Sequence, residues 1–284
     1  MTLASAAVLA AEGRFRAARA RHRLSLALGG GALLAATLLA AWVGEVSLGR
    51  LARGLPLAWD YVSRTLPALR WESLGADLAY WMWGLPDWLP LLGDTLLIAY
   101  AGTVLGGAVA LALSFPAAAT LAPPAVVAVV RRSLELARTV PTLVLALMFV
   151  YAFGLGPFAG VLAIAVHSAG ALGKLFAEEH ENAALGPVEA VRATGGGWAA
   201  QMRFGVLPQS LPGMLSTGLL RFEINVREAS VLGIVGAGGI GEELYLAVRQ
   251  FEYQDISAIL VLILATVAAI DLLCGRLRRR VIGA

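Results

Sequence analysis

The sequence predicts an all-α, polytopic membrane protein with about six transmembrane helices. Three observations support this fold class: 59% of the 284 residues are hydrophobic, only 14% are charged, and the mean hydropathy is +0.77. Because a soluble domain carries about 25% charged residues, this composition excludes an ordinary soluble enzyme, a nucleic-acid-binding domain and a disordered chain. The single cysteine, Cys274, excludes an internal disulfide.

Six apolar segments approach or exceed the length of about 20 residues that a membrane-crossing helix requires. The third segment is the shortest, with an earlier start in the run Ala125–Val130 as the alternative, and the fifth carries several charges. The predicted spans are Leu24–Val43, Leu91–Phe115, Thr139–Leu155, Phe158–Phe176, Pro212–Val235 and Ile256–Cys274. Since the number of spans is even, both termini are expected on one side of the membrane.

Basic residues predict which side that is. Arginines are concentrated in residues 1–23, before the first span, and in residues 276–284, after the last span. With the loops included, basic residues favour the side of the termini by about three to one, so the positive-inside rule makes this side the cytoplasm. We therefore predict two basic cytoplasmic ends, an extra transmembrane helix at 24–43 and a membrane domain at 91–275.

The segment 44–90 is then external and rich in tryptophan. Tryptophan prefers the membrane–water interface, where its ring meets apolar groups and its N–H group stays hydrated. We expect this segment to lie along the outer surface of the membrane, in part as an amphipathic helix; a stacking platform for a ligand is the alternative. Its tryptophans are Trp59, Trp71, Trp81, Trp83 and Trp88.

A glycine-rich run at 236–241 matches G-x-G-x-x-G, but no strand pattern surrounds it, so we exclude a dinucleotide site. We interpret the run as a turn at the periplasmic end of the fifth span, where glycines permit close backbone approach. The turn residues are Gly236, Gly238, Gly239 and Gly241. A second candidate, Ser168–Leu175, lacks the first glycine and the final Ser or Thr of a P-loop, so this chain is not expected to hydrolyse ATP.

Two histidines lie in or beside the fourth span. His180 stands among Glu178, Glu179 and Glu181, and no H-E-x-x-H pattern is present, so we expect a solvated helix end and not a metal site. His167 lies inside the span, where we expect a hydrogen-bonded interior residue. No bound metal or cofactor is predicted for this chain.

The stretch 177–211, between the fourth and fifth spans, carries the most specific pattern in the sequence. Its central part can form a short helix from Glu189 to Thr194, which Gly195 would end. Such a helix could insert into a groove of a soluble partner; a plain connecting loop is the alternative. The pattern residues are Glu189, Ala190, Val191, Gly195, Leu207 and Pro208.

The fifth span carries four charged residues, and each charge at a helix centre costs about 2.5–3.5 kcal/mol. These residues must therefore pair, or face protein or water. Glu223 and Arg227 have the spacing of a helical pair, and Arg221 and Glu228 lie on nearly one face. Together with Asn225 they form either an ion-pair network that fixes helix packing or the polar wall of a translocation path, where an arginine would meet a tetrahedral oxyanion.

The pattern in 177–211 resembles the EAA loop of importer-type ABC transporter permeases, which reads E-A-A, three residues, Gly, nine residues, Ile, one residue, Leu-Pro. Val191 stands at the third position, and Gly205 replaces the isoleucine. The resemblance to the MetI-like permease domain runs from Leu91 to the C-terminus. The segments similar to the phosphonate-importer branch are Asp94–Thr103, Arg138–Pro141 and Arg221–Gly233 with the glycines that follow.

This resemblance implies a non-catalytic permease subunit of an ATP-driven ABC importer in the bacterial inner membrane. The implied partners are the lipid bilayer, ATPase subunits that dock on the EAA loops and bind ATP and Mg²⁺, an identical or paralogous second permease, and an external solute-binding protein. The implied substrate is a phosphonate or a related phosphorus oxyanion such as phosphite or a phosphate ester. The alternatives are a permease for methionine or another small solute, and an ion-coupled secondary transporter.

Overall fold

The computed structural model describes residues 3–283, and this part of the chain is helical throughout, with no strand. The predicted all-α class is thereby confirmed. Residues 1, 2 and 284, which belong to the two predicted basic ends, lie outside the described residues. The helices are α1 Leu3–Val43, α2 Leu48–Thr65, α3 Leu74–Trp81, α4 Leu85–Ala117, α5 Pro124–Thr139, α6 Thr142–Phe153, α7 Pro157–Glu181, α8 Leu185–Ala193, α9 Trp198–Ala200, α10 Leu207–Leu232, α11 Ile240–Gln250 and α12 Tyr253–Ile282.

The chain divides into two compact units after Ser63. The first unit holds α1, whose part from Ala18 to Val43 is long and apolar enough to cross a membrane, and most of α2. Along α2, leucines and a tryptophan recur every three or four residues on one face, while Arg50 and Arg53 lie on another. The predicted amphipathic helix after the first span is therefore confirmed.

In the second unit, α4 and α7 pack closely together, and α10 packs against both. Glycines permit this approach: Gly102 faces Ile164, and a Cβ atom at Gly106 would lie 2.6 Å from the carbonyl oxygen of Ala165. Small residues let membrane helices approach until their backbones touch, which increases van der Waals contact. Val226 of α10 joins Ile164 in the buried core.

The second unit has two distinct ends. At one end, which we call the glycine-turn end, the starts of α4 and α7 meet the glycines that follow α10. At the other, the α8 end, the last turns of α4 and α7 meet the start of α10 and the helix α8. Helix α12 begins at the glycine-turn end, where Trp81 donates to Ser257 Oγ and Trp83 donates to Asp255 Oδ1.

The predicted third span, Thr139–Leu155, corresponds to α6, but it does not continue back into the run 125–130 as one helix. That run belongs to α5, and an 85° bend separates α5 from α6. Pro141 causes the break, because proline lacks an N–H group and forces the preceding residue out of helical geometry. Val140 is accordingly extended, with φ −75° and ψ 123°. A second bend of 49° separates α10 from α11. The described residues therefore contain four helices that are long and apolar enough to cross a membrane, or up to six such spans if each bent pair is one span.

Candidate functional site

The charges of α10 form three ion pairs. Arg221 pairs with Glu228 at 3.6 Å within the helix, on the nearly common face that the sequence indicated. Glu223 pairs with Arg278 at 3.3 Å, and Arg227 lies 3.8 Å from Asp271. The expected Glu223–Arg227 pair is therefore wrong, because the neighbouring α12 offers each of these residues an oppositely charged partner.

The Arg221–Glu228 pair lies inside a polar cluster. Only 11% of the Arg221 side chain is exposed, and its guanidinium donates to Ser168 Oγ at 3.1 Å and to His167 Nδ1. Glu228 accepts a hydrogen bond of 2.7 Å from Thr142 Oγ1. The prediction that His167 is a hydrogen-bonded interior residue is confirmed, and its role as acceptor at Nδ1 assigns the ring proton to Nε2.

Asn225 lies within the helix bundle. It is fully buried, and its Nδ2 group donates to Thr103 Oγ1 at 2.7 Å and to Ser168 Oγ at 2.9 Å. These two bonds connect α10 with α4 and with α7. A role for Asn225 as part of the translocation path stays a prediction: helix packing occupies its Nδ2 group, while its buried Oδ1 atom has no hydrogen-bond partner among the described residues.

A cleft of about 480 Å³ opens between α6 and α10 beside this cluster. Thr142, His167, Arg227 and Glu228 are the polar residues of its wall. The two arginines of α10 differ sharply here, because 60% of the Arg227 side chain is exposed against 11% for Arg221. Arg227 is therefore the cation of α10 that a solute in the cleft can reach.

The glycine run after α10 forms a turn that ties helices together. Gly236, Gly238 and Gly239 have φ angles of +78°, +81° and +82°, which side chains rarely adopt. Gly241 packs against the backbone of Ser230, where a Cβ atom would clash. The Ile240 amide donates to Thr95 Oγ1 at 2.9 Å. The predicted glycine turn with close backbone approach is confirmed, and its side of the membrane stays a prediction.

The segment between α7 and α10 contains the predicted short helix. Helix α8 starts earlier than Glu189, at Leu185, and Gly195 with φ +82° follows its end. Val188 is buried against Met202 and Val206, while Glu189 and Ala190 are exposed. Helix α8 thus has one face anchored to the bundle and one face available to a partner.

Gly205 explains why α8 can lie so close to the start of α10. It belongs to a π-helical turn, Gln201–Val206, that leads into α10. A Cβ atom at Gly205 would lie 2.9 Å from the Cα atom of Val188 and 3.3 Å from its amide nitrogen. The position at which the EAA pattern has isoleucine is therefore a point of backbone contact in this chain.

The sequence predicted a solvated helix end around His180, and for His180 this prediction is wrong. The side chain is 2% exposed, lies between Ser114 of α4 and Ser210 of α10, and stacks on Phe115 at 4.4 Å. Sequence reasoning missed this site because its partners are distant in the chain; isolated serines within two apolar helices were the available signal. The described residues contain no group of acidic, histidine and cysteine side chains that could hold a metal ion.

Comparison with known proteins identifies the family to which this chain is similar. Residues 102–282 match the family described as binding-protein-dependent transport system inner membrane component. Among solved structures, the inward-facing MetNI methionine ABC transporter superposes with a TM-score of 0.60 at 21% identity, covering 68% of this chain and 95% of that one. At this identity the superposition establishes the fold alone.

Curated relatives are more similar in sequence. The phosphite transport system permease protein PtxC of Stutzerimonas stutzeri is 39% identical over 244 residues, which cover 85% of this chain and 84% of the relative. The phosphate-import permease protein PhnE of Mycolicibacterium smegmatis is 43% identical over 67% of this chain and 38% of its own length. The chain therefore belongs to the binding-protein-dependent transport system inner membrane components, the permease subunits of ABC importers.

Proposed function

We propose that this chain forms part of the path by which an ABC importer carries a phosphorus oxyanion (phosphite, a phosphonate or phosphate) across the inner membrane. The observation that carries the proposal is the 39% identity to a phosphite permease along 85% of the chain. The chain contributes no catalytic group of its own. ATP and Mg²⁺ bind to separate ATPase subunits, and an external solute-binding protein delivers the anion.

The cleft beside α10 supports this substrate class. Arg227 is exposed in the cleft wall, and its planar guanidinium matches the oxygen geometry of phosphate-like anions with two parallel hydrogen bonds. Its partner Asp271 is 3.8 Å away, longer than a strong charge-assisted hydrogen bond. We infer that the anion contacts Arg227 and that Arg221 holds the helix packing.

Helix α8 is the proposed docking element for the ATPase subunit. Glu189 and Ala190 face outward, while Val188 anchors the helix to the bundle. This assignment places the α8 end in the cytoplasm and the glycine-turn end outside, which agrees with the distribution of basic residues. A second permease, identical or paralogous, completes the path.

Reconstitution tests the proposal. The permease is co-expressed with its ATPase, purified, and placed in liposomes with the solute-binding protein, and uptake of phosphite, methylphosphonate, phosphate and methionine is measured. We expect uptake of at least one phosphorus oxyanion that requires ATP inside and binding protein outside.

Three outcomes would contradict the proposal or a part of it. Uptake of methionine without uptake of any phosphorus oxyanion would support the alternative that this chain is a permease for another small solute. Uptake by the purified chain without ATPase subunits, driven by an ion gradient, would support a secondary transporter. Failure to co-purify with any P-loop ATPase would remove the coupling role of α8.

A further inference from the structure

His180 joins three helices at the α8 end. Its Nε2 atom lies 3.0 Å from Ser114 Oγ on α4, and its Nδ1 atom lies 2.9 Å from Ser210 Oγ on α10. The ring also stacks on Phe115 with an angle of 13° between planes. One side chain of α7 therefore sets the spacing of α4 and α10 at the point where the chain leaves the bundle.

Each serine beside the ring also has a hydrogen-bond partner in its own segment of the chain. The Ser114 hydroxyl lies 2.8 Å from the Leu111 carbonyl, and the Ser210 hydroxyl lies 3.1 Å from the Val206 carbonyl. A neutral imidazole donates through one ring nitrogen and accepts through the other, so His180 can bond to both serines in either tautomer. The Ser210 oxygen is thereby connected to α7 through His180 and to the turn before α10 through Val206.

Two chains of contact lead from the 182–206 segment to this histidine. In the first, Trp198 of α9 meets Phe115 edge-on at 6.3 Å, and Phe115 stacks on His180. In the second, Val188 of α8 packs on Val206, whose carbonyl lies 3.1 Å from the Ser210 hydroxyl. A cavity of about 110 Å³ between α8 and His180 gives these groups room to move.

We propose that His180 is a positioning residue that transmits displacement of α8 into the membrane helices. A movement of α8 shifts the Gln201–Val206 turn, and the Ser210–His180 bond carries that shift to α7, which holds His167 and Ser168 in the polar cluster. Without this bond, α10 can slide past α7 at the α8 end. The inference rests on the proposed role of α8 as the docking site for the ATPase.

Variants in the reconstituted importer test this inference. His180→Phe keeps a ring on Phe115 but removes both hydrogen bonds, and Ser210→Ala removes one. We expect both variants to assemble with the ATPase and to retain ATP hydrolysis, while uptake of phosphite per ATP hydrolysed falls about tenfold. Ser210→Thr, which keeps the hydroxyl group, should restore most of the coupling.

Ser230→Ala is the matched control, because Ser230 is a buried serine of the same helix whose hydroxyl bonds only to its own helix, at Val226. The phosphite uptake per ATP hydrolysed, which we call the coupling ratio, should be the same in this variant as in the unmodified protein. A normal ratio in His180→Phe and Ser210→Ala would overturn the inference. If the Ser210→Thr and Ser210→Ala variants lose coupling equally, the hydrogen bond is not the transmitting contact and the inference is again overturned.

The proposed function fails in a different way. If the unmodified complex shows no ATP-dependent uptake of phosphite, methylphosphonate or phosphate, the assignment of the importer is wrong. If the unmodified complex couples and the variants couple equally well, the importer stands and only the role of His180 is wrong.

Discussion

Arg221 and Arg227 lie on one helix but in opposite environments, and the difference gives each a distinct expected phenotype. Arg227 is exposed in the cleft, so Arg227→Gln should leave folding intact and remove a charge-assisted contact with the anion. A hydrogen bond to a charged group contributes about 1.5–3 kcal/mol, so we expect the KM for phosphite uptake to rise at least about tenfold. Concentration-dependent uptake in proteoliposomes measures this change; an unaltered KM would contradict the anion-binding role.

Arg221→Gln should instead destabilise the protein. It leaves the partly buried Glu228 without its ionic partner; breaking a fully buried pair costs about 3–5 kcal/mol, so we expect a loss of part of this amount. We expect low yields of folded protein and a lower midpoint of thermal unfolding in detergent. Adding Glu228→Gln should recover much of the lost stability, because both substituted side chains are then uncharged. Equal stability of the single and double variants would contradict this account.

Rules for residue spacing within a single helix predicted only part of the charged site on α10. Helix periodicity placed Arg221 and Glu228 on nearly one face of α10, and the two residues do pair. The i,i+4 pairing rule failed for Glu223 and Arg227, whose partners lie on α12, because spacing within one helix contains no information about neighbouring helices. His180 was missed for the same reason, as its hydroxyl partners lie 66 and 30 residues away.

At the scale of elements, the contact between α8 and the turn before α10 gives a sharp prediction. Gly205→Ile installs the residue of the family pattern but places a Cβ atom 2.9 Å from the Cα atom of Val188. Overpacking of this kind costs about 1–3 kcal/mol, so we expect α8 to be displaced and the ATPase to bind more weakly. Co-purification of the ATPase measures the effect.

The matched control for this variant is Gly197→Ala. A Cβ atom at Gly197 meets nothing within 4 Å, and the backbone there has an ordinary negative φ, so this variant should bind the ATPase normally. Normal binding by Gly205→Ile would show that α8 does not need the close contact.

The short segment before α3 carries a pH-dependent contact. Asp77 accepts hydrogen bonds from the Arg70 side chain, the Arg70 amide and Ser73, and these bonds, led by the Arg70 side chain, lower the pKa of its carboxyl. A lowered pKa stabilises the folded segment at pH values above the ordinary aspartate pKa of about 3.9, and this stabilisation is lost as pH falls through the folded value.

Asp77→Asn should therefore speed amide hydrogen exchange of residues 70–77 at pH 7. Corrected for intrinsic exchange rates, the difference from the unmodified protein should shrink as pH falls below about 4. A difference that stays undiminished as pH is lowered through this range would contradict the assignment.

The elements themselves were predictable where apolar runs are unbroken. The runs that became α4, α7 and α12 were recognised because length and hydropathy suffice for a straight span. The third run was misjudged because hydropathy ignores the single proline that breaks it. The Val140-Pro141 step was visible in the sequence, but the size of the bend depends on packing of α5 and α6 against α7.

At the scale of the whole molecule, the main prediction to test is which side of the membrane each end of the second unit faces. A cysteine at Glu189 on α8 and one at Gln250 at the end of α11 should react with an impermeant thiol reagent from opposite sides. The basic residues predict that Gln250→Cys is labelled in intact cells and Glu189→Cys only after permeabilisation. Cys274→Ser provides a background without the native thiol, which is buried.

Labelling of both positions from the same side would show that α8 and α11 do not lie at opposite membrane faces. Labelling of Glu189→Cys alone in intact cells would reverse the orientation and remove the docking site for a cytoplasmic ATPase.

The break between α5 and α6 has a consequence for hydration. Helix α6 has 12 residues and a length of about 18 Å, while the hydrocarbon layer is about 30 Å thick. If the end of α6 at Phe153 lies at one face of this layer, the Val140-Pro141 backbone at its start lies about 18 Å inside the layer, where irregular backbone is tolerated only against protein or water. The adjacent cleft, lined by Pro141 and Thr142, then works as an aqueous vestibule that ends inside the membrane, so an anion can keep part of its hydration shell until it meets the protein.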